Sequence, residues 1–156
     1  MFASPQDIDR IMAVMDAGFD PAFGEAWSRR QVADAFLAGN CHFALIAQCG
    51  STVPEGEPAV GFHLARQIVD DLELLLLAVD PAFRQQGFGT GLLTILAEQG
   101  RQVGARRIFL EMRRGNPAEH LYRKFGFKPV GMRPKYYKLK DGSRIDAVTF
   151  AMQIAD

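Results

Sequence analysis

The chain has 156 residues, 48% of them apolar and 23% charged, with 18 basic side chains against 18 acidic ones. That length suits one domain, residues 1–156, with a single real core, and the balanced charge excludes a broad nucleic-acid or membrane-surface footprint. No apolar stretch reaches the roughly 20 residues of a membrane span, and the first residues lack the basic start and apolar run of a signal peptide. A cytoplasmic protein is expected, a monomer or weak dimer with no nucleic-acid or membrane partner. Cys41 and Cys49 fit no metal-ligand spacing and read as reduced core thiols. His42, His63 and His120 form no metal triad and read as structural or exposed, so no metal is expected.

In chain order, Ser4-Pro5 with Asp7 marks the cap of a first helix, whose apolar face is Ile8, Ile11, Met12 and Met15. Ser28 and Gln31 have capping-box spacing for a second helix that stops at Gly39. His42 to Gln48 and Ala59 to Ile68 read as strands around a polar Gly50–Pro58 loop. Leu74 to Val79 is an unbroken apolar run, suited to a strand buried on both faces. A helix follows from about Gly87 to Val103, then a strand at Arg107 to Met112 and a short helix at Ala118 to Lys124. Val130–Leu139 and Arg144–Ile154 form a hairpin around Asp141-Gly142. These elements predict an α/β fold, a mixed and mostly antiparallel sheet flanked by helices. A strand before the first helix has at most Met1 to Ala3 to draw on.

The segment Val79-Asp-Pro-Ala-Phe-Arg84-Gln85-Gln86-Gly87-Phe88-Gly89-Thr90 places a strand, a tight loop and a helix start in succession. First-turn amides lack internal acceptors and carry the positive end of the helix dipole, so they suit a pyrophosphate. Gly87 and Gly89 are expected to let phosphates reach the backbone, and Arg84 to add a charge-assisted contact. Neither a dinucleotide G-x-G-x-x-G turn nor a Walker loop fits the glycine spacing.

Arg84 to Gly89 resembles the pyrophosphate signature of the GNAT superfamily of acyl-CoA-dependent N-acetyltransferases. The resemblance implies acetyl-CoA as co-substrate, with Leu77, Ala78 and Val79 beside its pantetheine arm and the amides of Gln85 to Thr90 on its pyrophosphate. Downstream, Asn116, Tyr122 and Gly126-Phe127 resemble the family's Asn–helix–Tyr–G-F segment. Asn116 would then contact the cofactor arm and Tyr122 would protonate the departing thiolate, although the two stand six apart where the family has seven. A phenol can give a proton to sulfur without prior charging. Glu111 and Glu73, at the end and the start of their strands, are both candidates for the base; the plain alternative for each is a carboxylate paired with an arginine. Arg113 and Arg114 read as lining solvent or an acidic partner.

The ending Arg133-x-x-Tyr136-Tyr137…Asp141-Gly142…Asp146-Ala147, with Glu25-Ala26-Trp27-Ser28 upstream, resembles the ribosomal-protein-alanine N-acetyltransferases. That likeness implies a protein N-terminus as acceptor, a ribosomal protein among the candidates, with Trp27, Tyr136 and Tyr137 walling a peptide slot. The bland reading makes the tryptophan and one tyrosine packing residues. Two other readings stay open: a lysine, polyamine or other small amine as acceptor, and a domain that binds acyl-CoA without turnover.

Overall fold

The capping patterns in the sequence become the helix starts of the structure, a computed structural model describing residues 3–155. Ser4 and Asp7 exchange side-chain and backbone bonds at the head of α1 (Pro5–Gly18), as Ser28 and Gln31 do for α2 (Arg29–Leu37). The strands are β1 (Cys41–Ile46), β2 (Gly61–Ile68), β3 (Asp71–Val79), β4 (Arg107–Arg113), β5 (Lys128–Lys138) and β6 (Arg144–Gln153). Between them lie α3 (Phe88–Gln102) and α4 (Glu119–Phe125). The expected opening strand rests mainly on Met1 and Phe2, which lie outside the described residues.

One six-stranded sheet runs in the order β1-β2-β3-β4-β6-β5. Its pairs are antiparallel except β3 with β4, which is the mixed, mostly antiparallel α/β arrangement the elements predict. On one face, α3 and α4 pack Leu93, Leu96 and Tyr122 against Leu72, Leu74, Leu110 and Met112. On the other, α1 and α2 bring Ile11, Val14, Met15 and Val32 onto Phe62, Leu64, Leu76 and Ala78.

Strand β3 departs from the expectation of burial on both faces. Its even-numbered residues are buried and its odd-numbered ones half-buried. Its register also breaks: Ala65 faces Leu74 while Leu64 faces Leu76, so Leu75 is an extra, bulged residue. The bulge turns the strand over. Leu72 and Leu74 pack on the α3 side, and Leu75, Leu76 and Ala78 on the α1 side.

Cys41 is a buried free thiol as expected, but Cys49 is exposed, its Sγ 3.0 Å from Ser51 Oγ. The strand ends at Ile46 and the Gly50 amide bonds back to Ala47, so Cys49 sits on a turn outside the core. Arg113 also departs from expectation: its side chain is only 12% exposed and pairs with Glu25.

His63 is fully buried in β2, and neither ring nitrogen has a hydrogen-bond partner. Burial, and then the nearby His42, push its pKa from the ordinary 6.5 down to about 3. Below pH 6.5 the unfolded chain takes up a proton that the folded chain refuses. The stability is therefore fully present above 6.5 and is lost as pH falls toward 3, at up to about 1.4 kcal/mol per pH unit. Urea unfolding of the wild type is expected to lose about 2 kcal/mol between pH 6.5 and 5, and His63→Leu is expected to flatten that slope.

Candidate active site

Strands β3 and β4 pair only through Asp71–Glu73 with Arg107–Phe109. Beyond that point β3 stays bonded to β2 and β4 to β6, out to Val79 and Arg113 respectively. Their facing edges part and leave backbone groups bare on both sides of a gap. Parallel strands end together, so the loop into α3 and the turn into α4 meet at the open mouth. In open α/β sheets this is where ligands settle.

At the β3 side of the mouth, Asp80 caps a short turn by accepting the Ala82 amide at 2.9 Å. Gln85 and Gly87 then adopt left-handed φ of 61° and 88°. The first amide of α3 to find an acceptor is Gly91, on the Gly87 carbonyl at 3.0 Å. The amides of Phe88, Gly89 and Thr90 thus have no intrahelical acceptor. A Cβ at Gly87 would meet nothing within 4 Å, so space is open before these amides, and glycine is there for its backbone conformation. A non-glycine residue in that region costs about 1–2 kcal/mol, a strain that Gln85 bears. Gly89 also has a packing reason, since a Cβ there would lie 2.8 Å from Leu121 Cδ2. It lets α4 approach α3.

Arg84 has carbonyl partners of its own beside the turn. Its guanidinium donates to the Gly18 carbonyl at 2.7 Å and the Val79 carbonyl at 3.3 Å. The negative end of α1 and the end of β3 compete for the charge, so the side chain braces the site's frame.

At the β4 side, Asn116 Oδ1 accepts the Ala118 amide at 3.0 Å and starts the turn into α4. Tyr122 is buried between α4 and the sheet, its ring 5.7 Å from that of Phe127 in edge contact. Burial, and after it the charge of Glu25, raise its pKa above the ordinary tyrosine value. Tyr122 belongs to the α3–α4 layer and Glu25 to the loop between α1 and α2.

On the opposite face, the odd residues of β4 form a row of charge. Glu111 Oε2 pairs with Arg133 Nε at 3.1 Å, and Thr149 Oγ1 lies 3.5 Å from it. Arg113 Nε pairs with Glu25 Oε1 at 3.3 Å, and its guanidinium carbon sits 3.6 Å from the centroid of Phe23. The pKa of Tyr137 is pushed up to about 12 by burial first and then by the charges of Glu111 and Glu25. Tyr136 is half-exposed, its ring 5.2 Å from that of Tyr137 and 5.1 Å from Arg133.

The structure therefore gathers Glu111, Tyr122, Asn116, Tyr137 and the turn from Gln85 to Thr90 around one gap. Glu73 stands apart. It is the last paired residue, at the closed end of the gap, where Arg66 holds it at 2.7 Å. Trp27 packs, partly buried, against the α1–α2 core, which is the bland reading of that residue. Nearby, Glu25 and Phe23 are joined by Arg113; no spacing rule links residues 88 apart in sequence. A groove of about 670 Å³ between α1 and the loop at 53–59 contains none of these residues, so concavity alone does not find the site.

The sequence model of the Acetyltransferase (GNAT) family matches residues 10–127. The chain is 38% identical over 101 residues to the [ribosomal protein bS18]-alanine N-acetyltransferase of Haemophilus ducreyi, 64% of this chain and 70% of that one. It is 35% identical over 95 residues to the enzyme of the same name from Escherichia coli K12, 60% of this chain and 64% of that one, slightly under two thirds of the relative's length. The crystal structure of the Escherichia coli ribosomal-protein-S18-alanine N-acetyltransferase superposes with a TM-score of 0.81 at 25% identity, over 100% of this chain and 93% of that one. With its parted strands and the bare amides before α3, the chain belongs to the GNAT acetyltransferase family, whose acetyl donor is acetyl-CoA.

Proposed function

We propose that the chain, acting as one domain over residues 1–156, acetylates the N-terminal α-amine of a protein, with a ribosomal protein as the first candidate. The observation that carries this reading is the acceptor face. Glu111 lies beside the open gap, with Tyr136 and Tyr137 on one side and the Phe23–Glu25 loop on the other. The curated relatives from Haemophilus ducreyi and Escherichia coli carry this acceptor in their names.

The residues fit acetyl-CoA. The bare β3 edge at Leu77 and Ala78 can bond an extended amide arm as an added strand does. The amides of Gln85 to Thr90 and the positive end of α3 suit its pyrophosphate, and the Asn116 amide group stands across the gap. The amine attacks the thioester carbonyl directly in a ternary complex, with alignment supplied by the slot. Glu111 takes the amine proton through water, and the carbon–sulfur bond breaks as the carbonyl reforms. Tyr122 meets the leaving sulfur; its raised pKa keeps the hydroxyl protonated at neutral pH, so its proton moves only as charge builds on sulfur. Both carboxylates have an arginine partner; Glu73 is the weaker candidate for the base because it stands in the paired, closed end of the gap.

The charge balance of this face favours an α-amine. Glu111 and Glu25 each have an arginine partner, which leaves no surplus of negative charge to draw a polyamine. An α-amine is already neutral in about a tenth of molecules at pH 7, a lysine in a few per ten thousand, so a modest base suffices only for the former.

Three outcomes test this reading. In a panel of peptides with free or blocked N-termini plus polyamines, mass spectrometry is expected to find acetyl on free α-amines alone; side-chain or polyamine products would replace the acceptor, and none from any amine would leave a CoA-binding domain. Tyr122→Phe and Glu111→Gln are each expected to lower kcat about a hundredfold with CoA affinity within about twofold. Gly87→Ala, forced into a left-handed turn, is expected to weaken CoA binding about tenfold by calorimetry.

A further inference from the structure

The tyrosine segment of β5 is not held by an ordinary strand ladder. Arg133 faces Ala147 and Tyr137 faces Ile145. Three residues, Pro134, Lys135 and Tyr136, therefore stand opposite Asp146 alone. Proline has no amide to donate, and Lys135 takes a left-handed φ of 52°, which a side-chain-bearing residue keeps only when its surroundings hold it there. The side chain of Asp146 supplies the missing partner: its Oδ1 accepts the Lys135 amide at 2.9 Å.

The same residue reaches the other side of the site. Its Oδ2 lies 3.5 Å from Arg114 Nη1, and its carbonyl accepts the Arg114 amide at 2.8 Å. Arg114 opens the turn that leads through Asn116 to α4 and Tyr122. Arg144 Nη1 adds a bond to the Lys135 carbonyl at 3.4 Å, so both polar groups of the strained residue are engaged.

We propose that Asp146 is the positioning residue of the acceptor slot. It holds the three-residue excursion that presents Tyr136 and Tyr137, and fixes it to the turn carrying Asn116 and Tyr122. The proposal rests on the reading of this face as the acceptor side, and adds to it a residue that never touches the reacting atoms. Its signature is loss of acceptor binding with the chemistry and the donor site preserved.

The test is steady-state kinetics with a free-N-terminus peptide, together with calorimetry of CoA. Asp146→Ala is expected to raise the acceptor KM about tenfold, with kcat and CoA affinity within about twofold. Asp146→Asn keeps an oxygen for the Lys135 amide and is expected to stay within about twofold of wild type throughout. An unchanged KM in Asp146→Ala would overturn the proposal, as would equal losses of CoA affinity and kcat in both variants. Should Asp146→Ala not fold, the double variant with Lys135→Gly carries the test, because glycine keeps the left-handed turn without the carboxylate. A KM several-fold above that of Lys135→Gly alone sustains the role, and no difference between the two contradicts it. If the enzyme takes only side-chain or small amines, the proposed acceptor fails, and Asp146 is judged on the KM of whichever amine is taken.

Discussion

The site depends on a pairing that stops. Strands β3 and β4 share backbone bonds only as far as Glu73 and Phe109, yet each is tied along its outer edge to another strand. Neither can turn to satisfy the other. The bulge at Leu75, level with the start of the gap, twists β3 away from β4. Buried backbone groups without partners are costly, so the bare edges amount to a standing demand for a ligand that can bond like a strand. The parting lies between both layers of the protein, with Tyr122 packed on the α3–α4 side and Glu25 held by Arg113 on the other.

Around the gap, charge is arranged in pairs whose worth differs. Exposed pairs such as Arg29–Asp9 contribute at most about 1 kcal/mol. Arg113 is different: its side chain is 12% exposed, bonded to Glu25 and stacked on Phe23. Removing Glu25 would leave a nearly buried cation with only a ring for company, a larger penalty than losing a surface pair. These contacts fasten the loop between α1 and α2 onto β4. The acceptor face is thus a joint product of three distant segments, the loop at 23–25, the end of β4 and the excursion of β5.

Legibility in the sequence followed the range of the forces involved. Local signals were sufficient for the helix starts at Ser4, Ser28 and Gly87, because caps and left-handed turns are decided within four residues. The order of elements and the mixed sheet followed from periodicity and the Asp141-Gly142 turn. What could not be read were contacts set by tertiary geometry. The apolar run from Leu74 to Val79 hides its bulge, since leucine is acceptable on either face. Arg84 sits in a phosphate signature, but the carbonyl ends of α1 and β3 claim its charge. Gly89 looks like a phosphate glycine, and its second task of making room for Leu121 has no local signal. Glu25 was legible only as part of a resemblance, because its partner Arg113 comes from β4.

The central claim is that the bare β3 edge and the amides before α3 hold the acetyl donor. Amide hydrogen exchange of the intact protein with and without CoA reads those groups individually. The account predicts slowed exchange at residues 75–79 and 85–90 on CoA binding, with little change along β5. Protection confined to other strands, with residues 75–79 and 85–90 unaltered at saturating CoA, would contradict it.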